Sequence, residues 1–228
     1  MPLSAPSRRG WTSSVRSWFY HPGSAICGFI GRLFWDARVE GKERIPREGA
    51  FIAVANHCSN FDPPLLGWAV GNSAGRVVHF MAKIEMRTWP IIGWLATQSG
   101  VYFVRRGEND RSAQRFSLEA LADGRPIAVF PEGTRSRNSR MRDFKAGAAY
   151  LALRSGAPIL PVGIAGTHAM FPGRSRLPHP THIRIRIGEP FVLGHVPDGR
   201  LSREALAEGT ERIREAIIEL LPEEQRPL

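Results

Sequence analysis

The sequence predicts an α/β fold: a mixed, mostly parallel sheet covered by helices on both faces, with an amphipathic helical segment at its N-terminal side. Three observations carry this. Short apolar runs recur at 51–55, 126–130 and 157–164, and runs too short for helices read as strands buried on both faces. Stretches of helical period separate the strands, at 110–122, 145–154 and 202–221, the alternation that builds helix-covered sheets. Turns rich in Gly, Pro and charge follow the strands directly, where open α/β sheets form their sites.

In chain order, residues 1–14 are rich in Ser, Pro and Arg and read as a mobile arm. Ile26, Phe29, Ile30, Leu33 and Phe34 then recur at helical spacing among Trp11, Trp18, Trp35 and several arginines. That mixture suits a helix at a bilayer surface; it equally suits a helix packed on the domain's own core, and the two readings can hold for different faces. The division expected is 1–37 as a basic, aromatic arm and membrane-surface helix, and 38–228 as the α/β domain. Residues 39–46 read as a short strand and turn. The apolar run 51–55 leads to His57 and then to Asp62-Pro63-Pro64, a helix start with Asp62 as N-cap. Residues 77–82 form a further strand ending at Lys83, and 84–98 a short helix and loop. The strand at 100–107 ends in Arg105 and Arg106. The helix at 110–122 should bury Ala113, Phe116, Leu118 and Leu121 and stop at Gly124. Strand 126–130 runs into Pro131-Glu132-Gly133-Thr134-Arg135, and the small-residue helix 145–154 stops at Gly156. Residues 182–187 alternate strictly, so they form a half-exposed strand near the sheet edge. The last helix is capped by Ser202 and buries Leu206, Ile213, Ile217 and Leu220.

The chain has 228 residues, 43% of them hydrophobic, enough for one real core. Its net charge of +10, from 31 Lys and Arg against 21 Asp and Glu, favours an anionic partner: nucleic acid, anionic membrane or phosphorylated substrate. Two cysteines, Cys27 and Cys58, give neither a disulfide framework nor metal-ligand spacing and suit a reducing compartment. No secretory signal is legible. Pro22, Gly23 and Arg32 keep the early apolar stretch short of the about 18 residues a membrane span needs.

The chemistry gathers in a few blocks. His57 and Asp62 face each other across a tight strand-to-helix loop, as a general base and the carboxylate that orients it. Cys58 beside them points to the opposite face of an extended chain and is incidental. Arg105, Arg106 and Arg135 offer planar donor forks suited to phosphate. Gly133 lets a backbone amide approach an anion, Thr134 adds a hydroxyl, and Glu132 either orients the arginines or accepts from a substrate hydroxyl. No nucleotide-binding loop motif and no G-x-S-x-G elbow occurs.

In that order, the blocks resemble the glycerolipid acyltransferase family, in particular bacterial 1-acyl-glycerol-3-phosphate acyltransferases. They are Asn56-His57-Cys58-Ser59-Asn60-Phe61-Asp62, the strand 100–106, Phe130-Pro131-Glu132-Gly133-Thr134-Arg135-Ser136, and the proline-centred strand 157–162, with Ala82-Lys83-Ile84-Glu85 between the first two. The likeness covers roughly 38–190; each block alone is weak and the ordered set is specific. It implies a glycerol-3-phosphate acyltransferase-like fold and the transfer of a fatty acyl group from acyl-CoA or acyl carrier protein to the free hydroxyl of 1-acyl-glycerol 3-phosphate, giving phosphatidic acid. It implies no metal and no cofactor, and a peripheral position at the cytoplasmic face of the cell membrane. His57 and Asp62 then match the catalytic pair. Arg106, Glu132, Gly133, Thr134, Arg135 and Lys83 match the acceptor-binding residues, and Pro161 matches the fourth block, near the thioester. Arg105 stands where many relatives carry an acidic residue, which bears on acceptor choice. Other readings are an acyltransferase for a different lysolipid, a thioester hydrolase, a non-catalytic membrane-surface protein, and a basic nucleic-acid-binding module; the last lacks any reader motif.

Overall fold

The computed structural model describes residues 17–104, 110–171 and 177–227. The described residues form a seven-stranded sheet: β1 (Arg38–Glu40), β2 (Ile52–Ala55), β3 (His79–Lys83), β4 (Tyr102–Val104), β5 (Ile127–Val129), β6 (Ile159–Ala165) and β7 (Arg184–Ile187), in the order β1-β7-β6-β2-β5-β3-β4. The run from β6 to β4 is parallel. β7 pairs antiparallel with β6, and β1 closes the edge parallel to β7. The mixed, mostly parallel α/β sheet expected from the sequence is what the chain forms. Strand β7 lies one place in from the edge, with Ile183, Ile185 and Ile187 buried and Arg186 exposed.

β2 sits at the centre, and its alternation divides the core. Ala53 and Ala55 face one hydrophobic cluster, with Leu65, Leu66, Phe80 and Leu160. Ile52 and Val54 face the other, with Ala120, Leu151, Ile213 and Ile217. Successive strand residues point to opposite faces, so a strand covered on both sides must be apolar at every position. The second cluster is roofed by α4 (Asp110–Ala122), α5 (Gly147–Ser155) and α6 (Arg203–Leu220). Gly124 and Gly156 stop α4 and α5 with left-handed φ of 73° and 68°. Ser202 Oγ caps α6 by accepting from the Ala205 amide at 3.0 Å.

Two helices bury the core of the stripe their periodicity predicts, Leu121 in α4 and Ile213 and Ile217 in α6, and add small residues to it. In α4 the buried positions are Ser117, Ala120 and Leu121, with Ala113, Phe116 and Leu118 only half-buried. Ser117 is tolerated inside because its hydroxyl meets Tyr102 Oη at 2.9 Å. In α6 the inner stripe is Gly209, Ile213 and Ile217. A Cβ at Gly209 would come within 3.0 Å of Leu193 and 3.3 Å of Ala149, so glycine there lets α6 close on α5.

The other face carries α1 (Ser17–Trp35), α2 (Asp62–Leu66), which continues as a π-helical turn at Gly67–Asn72, and the short α3 (Pro90–Gln98). Helix α1 runs through Pro22. Tertiary packing compensates the lost bond: Tyr20 Oη donates to the Gly67 carbonyl at 3.1 Å, and Gly28 and Gly71 sit so close to Trp68 and Tyr20 that no side chain fits. The buried face of α1 is therefore aromatic and small. The stripe of Ile26, Phe29, Ile30, Leu33 and Phe34 points outward, with Phe29 66% and Leu33 64% exposed. Trp89, Trp94 and Leu95 on and beside α3 are exposed as well, and Phe19 of α1 meets Trp94 edge to face at 5.2 Å. Among the described residues no helix is long and apolar enough to cross a membrane.

Candidate active site

The parallel strands β2, β5 and β3 end on the same side of the sheet, which brings the blocks at 56–62, 130–136 and Lys83 to one edge. The most developed group lies after β2. His57 Nδ1 is 2.8 Å from Asp62 Oδ2. Asp62 is 0% exposed and the imidazole 17%. The same oxygen accepts from the backbone amides of Cys58 and Ser59, each at 2.7 Å. Asp62 Oδ1 is buried with no hydrogen-bond partner among the described residues. Three donors converge on one carboxylate oxygen, and charge-assisted bonds of this kind are the strong ones.

This corrects the helix-cap expectation. Asp62 is the first residue of α2, after Phe61, and makes no side-chain cap bond to the helix. It turns backward onto its own loop, because Pro63 and Pro64 occupy the first turn and leave fewer amides to cap. The backward turn presents an acceptor to Nδ1–H of His57 and leaves Nε2 as the ring's basic nitrogen. Phe130 stacks on the imidazole, centroid to centroid 4.3 Å at 24°, fixing the ring plane from the other side.

The loop from β5 holds the histidine's main chain. Glu132 Oε1 accepts the His57 N–H at 2.8 Å, and the Ser136 N–H donates to the His57 carbonyl at 2.8 Å. Glu132 Oε2 accepts the Arg142 amide at 3.3 Å. Glu132 is only 4% exposed. Burial pushes its carboxyl up to about 7, against the two amide donors and His57, which pull it down; Asp62 adds to the rise. These partners differ from those the sequence suggests, an arginine or a substrate hydroxyl. Gly133 sits in a turn with φ 68°, its amide bonded to the Phe130 carbonyl at 3.1 Å. Thr134 and Arg135 lie exposed between the two clamps on His57.

Lys83 ends β3, paired in register with Val104 of β4. Arg105 and Arg106 lie outside the described residues. Pro161 lies inside the sheet, opposite Val54 in register, and its carbonyl accepts from Gly188 at 2.9 Å. It is buried in mid-strand of β6, and its missing N–H faces the side where β7 has ended. Cys58 is buried, its thiol aimed at the Ser139 carbonyl at 3.4 Å. Burial, with Asp62 and Glu132 nearby, pushes the thiol up to about 12, which removes it as a nucleophile. Among the described residues no three His, Cys, Asp or Glu side chains gather as metal ligands would.

One residue in the first block has a role the sequence reading did not assign. Asn56 Nδ2 donates to the Ile164 carbonyl at 2.9 Å, and its Oδ1 accepts the Ile164 amide at 2.8 Å. The side chain extends the β2–β6 ladder by one rung just before His57. The signal for it was an asparagine at the end of an otherwise apolar strand, where a buried amide needs main-chain partners.

Fold and site together define a class: an open α/β protein with a histidine–aspartate pair at the carboxyl end of its central parallel strand. The Acyltransferase family model matches residues 36–165, and the chain belongs to that family. A crystal structure of the 1-acyl-sn-glycerophosphate acyltransferase PlsC from Thermotoga maritima superposes with a TM-score of 0.67 at 32% identity, covering 86% of this chain and 79% of that one. A lyso-ornithine lipid O-acyltransferase of Pseudomonas aeruginosa is 38% identical over 134 residues, 58% of this chain and 48% of that protein. A 1-acyl-sn-glycerol-3-phosphate acyltransferase of Saccharomyces cerevisiae is 29% identical over 215 residues, 90% of this chain and 64% of its own. The chain thus spans less than two thirds of the length of each of these two curated relatives.

Proposed function

We propose that the protein transfers a fatty acyl group from an acyl thioester, acyl-CoA or acyl carrier protein, to the free hydroxyl of 1-acyl-glycerol 3-phosphate, giving phosphatidic acid. The observation that carries this is the 2.8 Å bond between His57 Nδ1 and the fully buried Asp62 carboxylate, in a chain of the Acyltransferase family. An alcohol is a poor nucleophile at neutral pH. Nε2 of His57 takes the hydroxyl proton as the oxygen attacks the thioester carbonyl, and Asp62 stabilises the imidazolium that forms. The tetrahedral intermediate collapses by breaking the C–S bond, and the leaving thiolate takes the proton from the imidazolium. Such general-base help is worth ~10²–10⁴-fold. The thioester supplies an activated acyl group, so the reaction needs no metal and no redox cofactor.

Arg106, Arg135 and Lys83 are the cations proposed for the acceptor's phosphate, with Gly133 and Thr134 on the same loop as Arg135; gripping the head group adds positioning. The exposed stripe of α1 with Trp89 and Trp94 supports work at a membrane surface; the cytoplasmic face is part of the same proposal.

A second acceptor has a specific observation behind it: the 38% identical relative is named for lyso-ornithine lipid. The same base would serve that hydroxyl, and the head group alone separates the readings. The test is a panel of lysolipids offered with a thioester donor, following thiol release and lipid product together. Conversion of 1-acyl-glycerol 3-phosphate, abolished in His57→Ala and weakened through acceptor KM in Arg106→Ala, is expected. Thiol release without acylated lipid makes the protein a hydrolase, and exclusive use of lyso-ornithine lipid replaces the acceptor.

A further inference from the structure

We infer that Glu132 is a positioning residue for His57, holding the base through the base's own peptide bond and standing apart from the acceptor site. The inference concerns the base of the transfer reaction proposed above and rests on that reading for its kinetic consequences.

The two carboxylate oxygens of Glu132 are both engaged, and both with main chain. One takes the His57 amide at 2.8 Å, the other the Arg142 amide at 3.3 Å. Ser136, four residues on, closes the opposite side of the same residue by donating its amide to the His57 carbonyl at 2.8 Å. A single loop therefore grips His57 by both its N–H and its C=O. Both oxygens are engaged with main chain and the residue is buried, while the Arg135 it would have oriented is exposed.

The strut is anchored in its turn. The Lys145 amide donates to the Pro131 carbonyl at 3.0 Å, and the Met141 amide to the Gln225 carbonyl at 2.9 Å. The Arg140 guanidinium reaches the Arg226 carbonyl at 3.0 Å. The segment beyond α6 thus steadies the loop whose Arg142 amide holds Glu132, and Glu132 holds His57. The imidazole itself is tied to Asp62 and covered by Phe130. Its Nε2 is aimed by the ring's bond to Asp62 and its stack on Phe130, and by the peptide's bonds to Glu132 and Ser136. A carboxylate is the strongest acceptor a side chain can offer a peptide N–H. Loss of the Glu132 bond frees the N–H side of that peptide to shift, and a displacement of about 1 Å at a reacting group lowers a rate by ~10²-fold.

The ionisable groups that face Glu132 are His57 and Cys58 from the loop after β2 and Asp62 from α2. The experiment uses the full chain. Wild type, Glu132→Gln and Glu132→Ala are compared for kcat and for acceptor KM with 1-acyl-glycerol 3-phosphate, and the His57 backbone amide is followed by ¹⁵N–¹H NMR. Glu132→Ala should lower kcat by ~10²-fold with acceptor KM unchanged. Glu132→Gln keeps an oxygen for the His57 amide and should recover most of the loss. The His57 amide resonance should move in both Glu132→Gln and Glu132→Ala relative to wild type, because its acceptor changes. A raised acceptor KM with kcat intact puts Glu132 in the acceptor site and overturns the inference. So does a His57 amide that ignores both substitutions. The NMR arm needs no turnover, so a wild-type protein inactive on this lipid removes the proposed acceptor while leaving the strut to be judged. If Glu132→Ala does not fold, the His57 amide shift, kcat and acceptor KM of Glu132→Gln decide.

Discussion

Replacing Asp62 by asparagine separates the charge of the carboxylate from its shape. Oδ2 accepts from His57 Nδ1 at 2.8 Å and from the Cys58 and Ser59 amides at 2.7 Å each. The asparagine oxygen must take that place, since an NH₂ there would confront three donors. The NH₂ then falls where Oδ1 now lies, buried and without a partner among the described residues. An unsatisfied buried donor costs about 1–3 kcal/mol, and stability should fall by that amount in urea unfolding. The three bonds survive in geometry but become neutral, at roughly half the strength of charge-assisted ones. The imidazolium formed during attack loses its counter-charge. General-base help of ~10²–10⁴-fold corresponds to roughly 3–5 kcal/mol of barrier, and most of it should go. The expected result is a folded protein whose kcat is lower by ~10²-fold or more, read as thiol release coupled to acylated lipid. A folded Asp62→Asn variant with nearly unchanged kcat would mean that this carboxylate only ties down a loop.

Three further outcomes follow from the packing. Asn56→Ala strips the Ile164 amide and carbonyl of their partners at about 1–3 kcal/mol for each buried group; an unmoved urea midpoint would show that the rung carries no load. The Glu132 carboxyl is lifted from 4.5 to about 7 by burial, so between those pH values the folded state binds more protons than the unfolded one. Stability should therefore decline as pH rises through that window and level off above it. Unfolding midpoints of Glu132→Gln should decline less, and parallel curves for the two proteins would contradict the shift. Phe29→Asp with Leu33→Asp, at outward positions of α1, should leave the melting temperature in place and weaken sedimentation with anionic vesicles; vesicle binding equal to wild type would assign that stripe to another partner.

Much of the site was legible as chain order. The run from Phe51 to Asp62 contains a buried strand, a tight loop and a proline-started helix, and local chemistry alone puts a histidine and a carboxylate within reach of each other. The direction of Asp62 was not legible, because an aspartate before two prolines also reads as a helix cap. Only the folded loop shows it accepting from Cys58, Ser59 and His57. The same holds for α1. Its apolar spacing was visible, yet periodicity gives a stripe and not the side it faces; Tyr20, Gly28 and the partner helix settle that through close approach. Pro161, assigned near the thioester by its block, pairs in register with Val54, next to the end of β2.

By itself the sequence determined the strands, the helices and the His57–Asp62 pair, because each depends on neighbours within a few residues. The tertiary structure decided which groups from distant segments hold that pair. Glu132, Ser136 and Phe130 lie more than seventy residues from His57 along the chain, and they reach it only because β5 pairs with β2 in parallel, so that both strands end at the same edge. Strand order is set by how apolar faces share one core, and no local pattern encodes it.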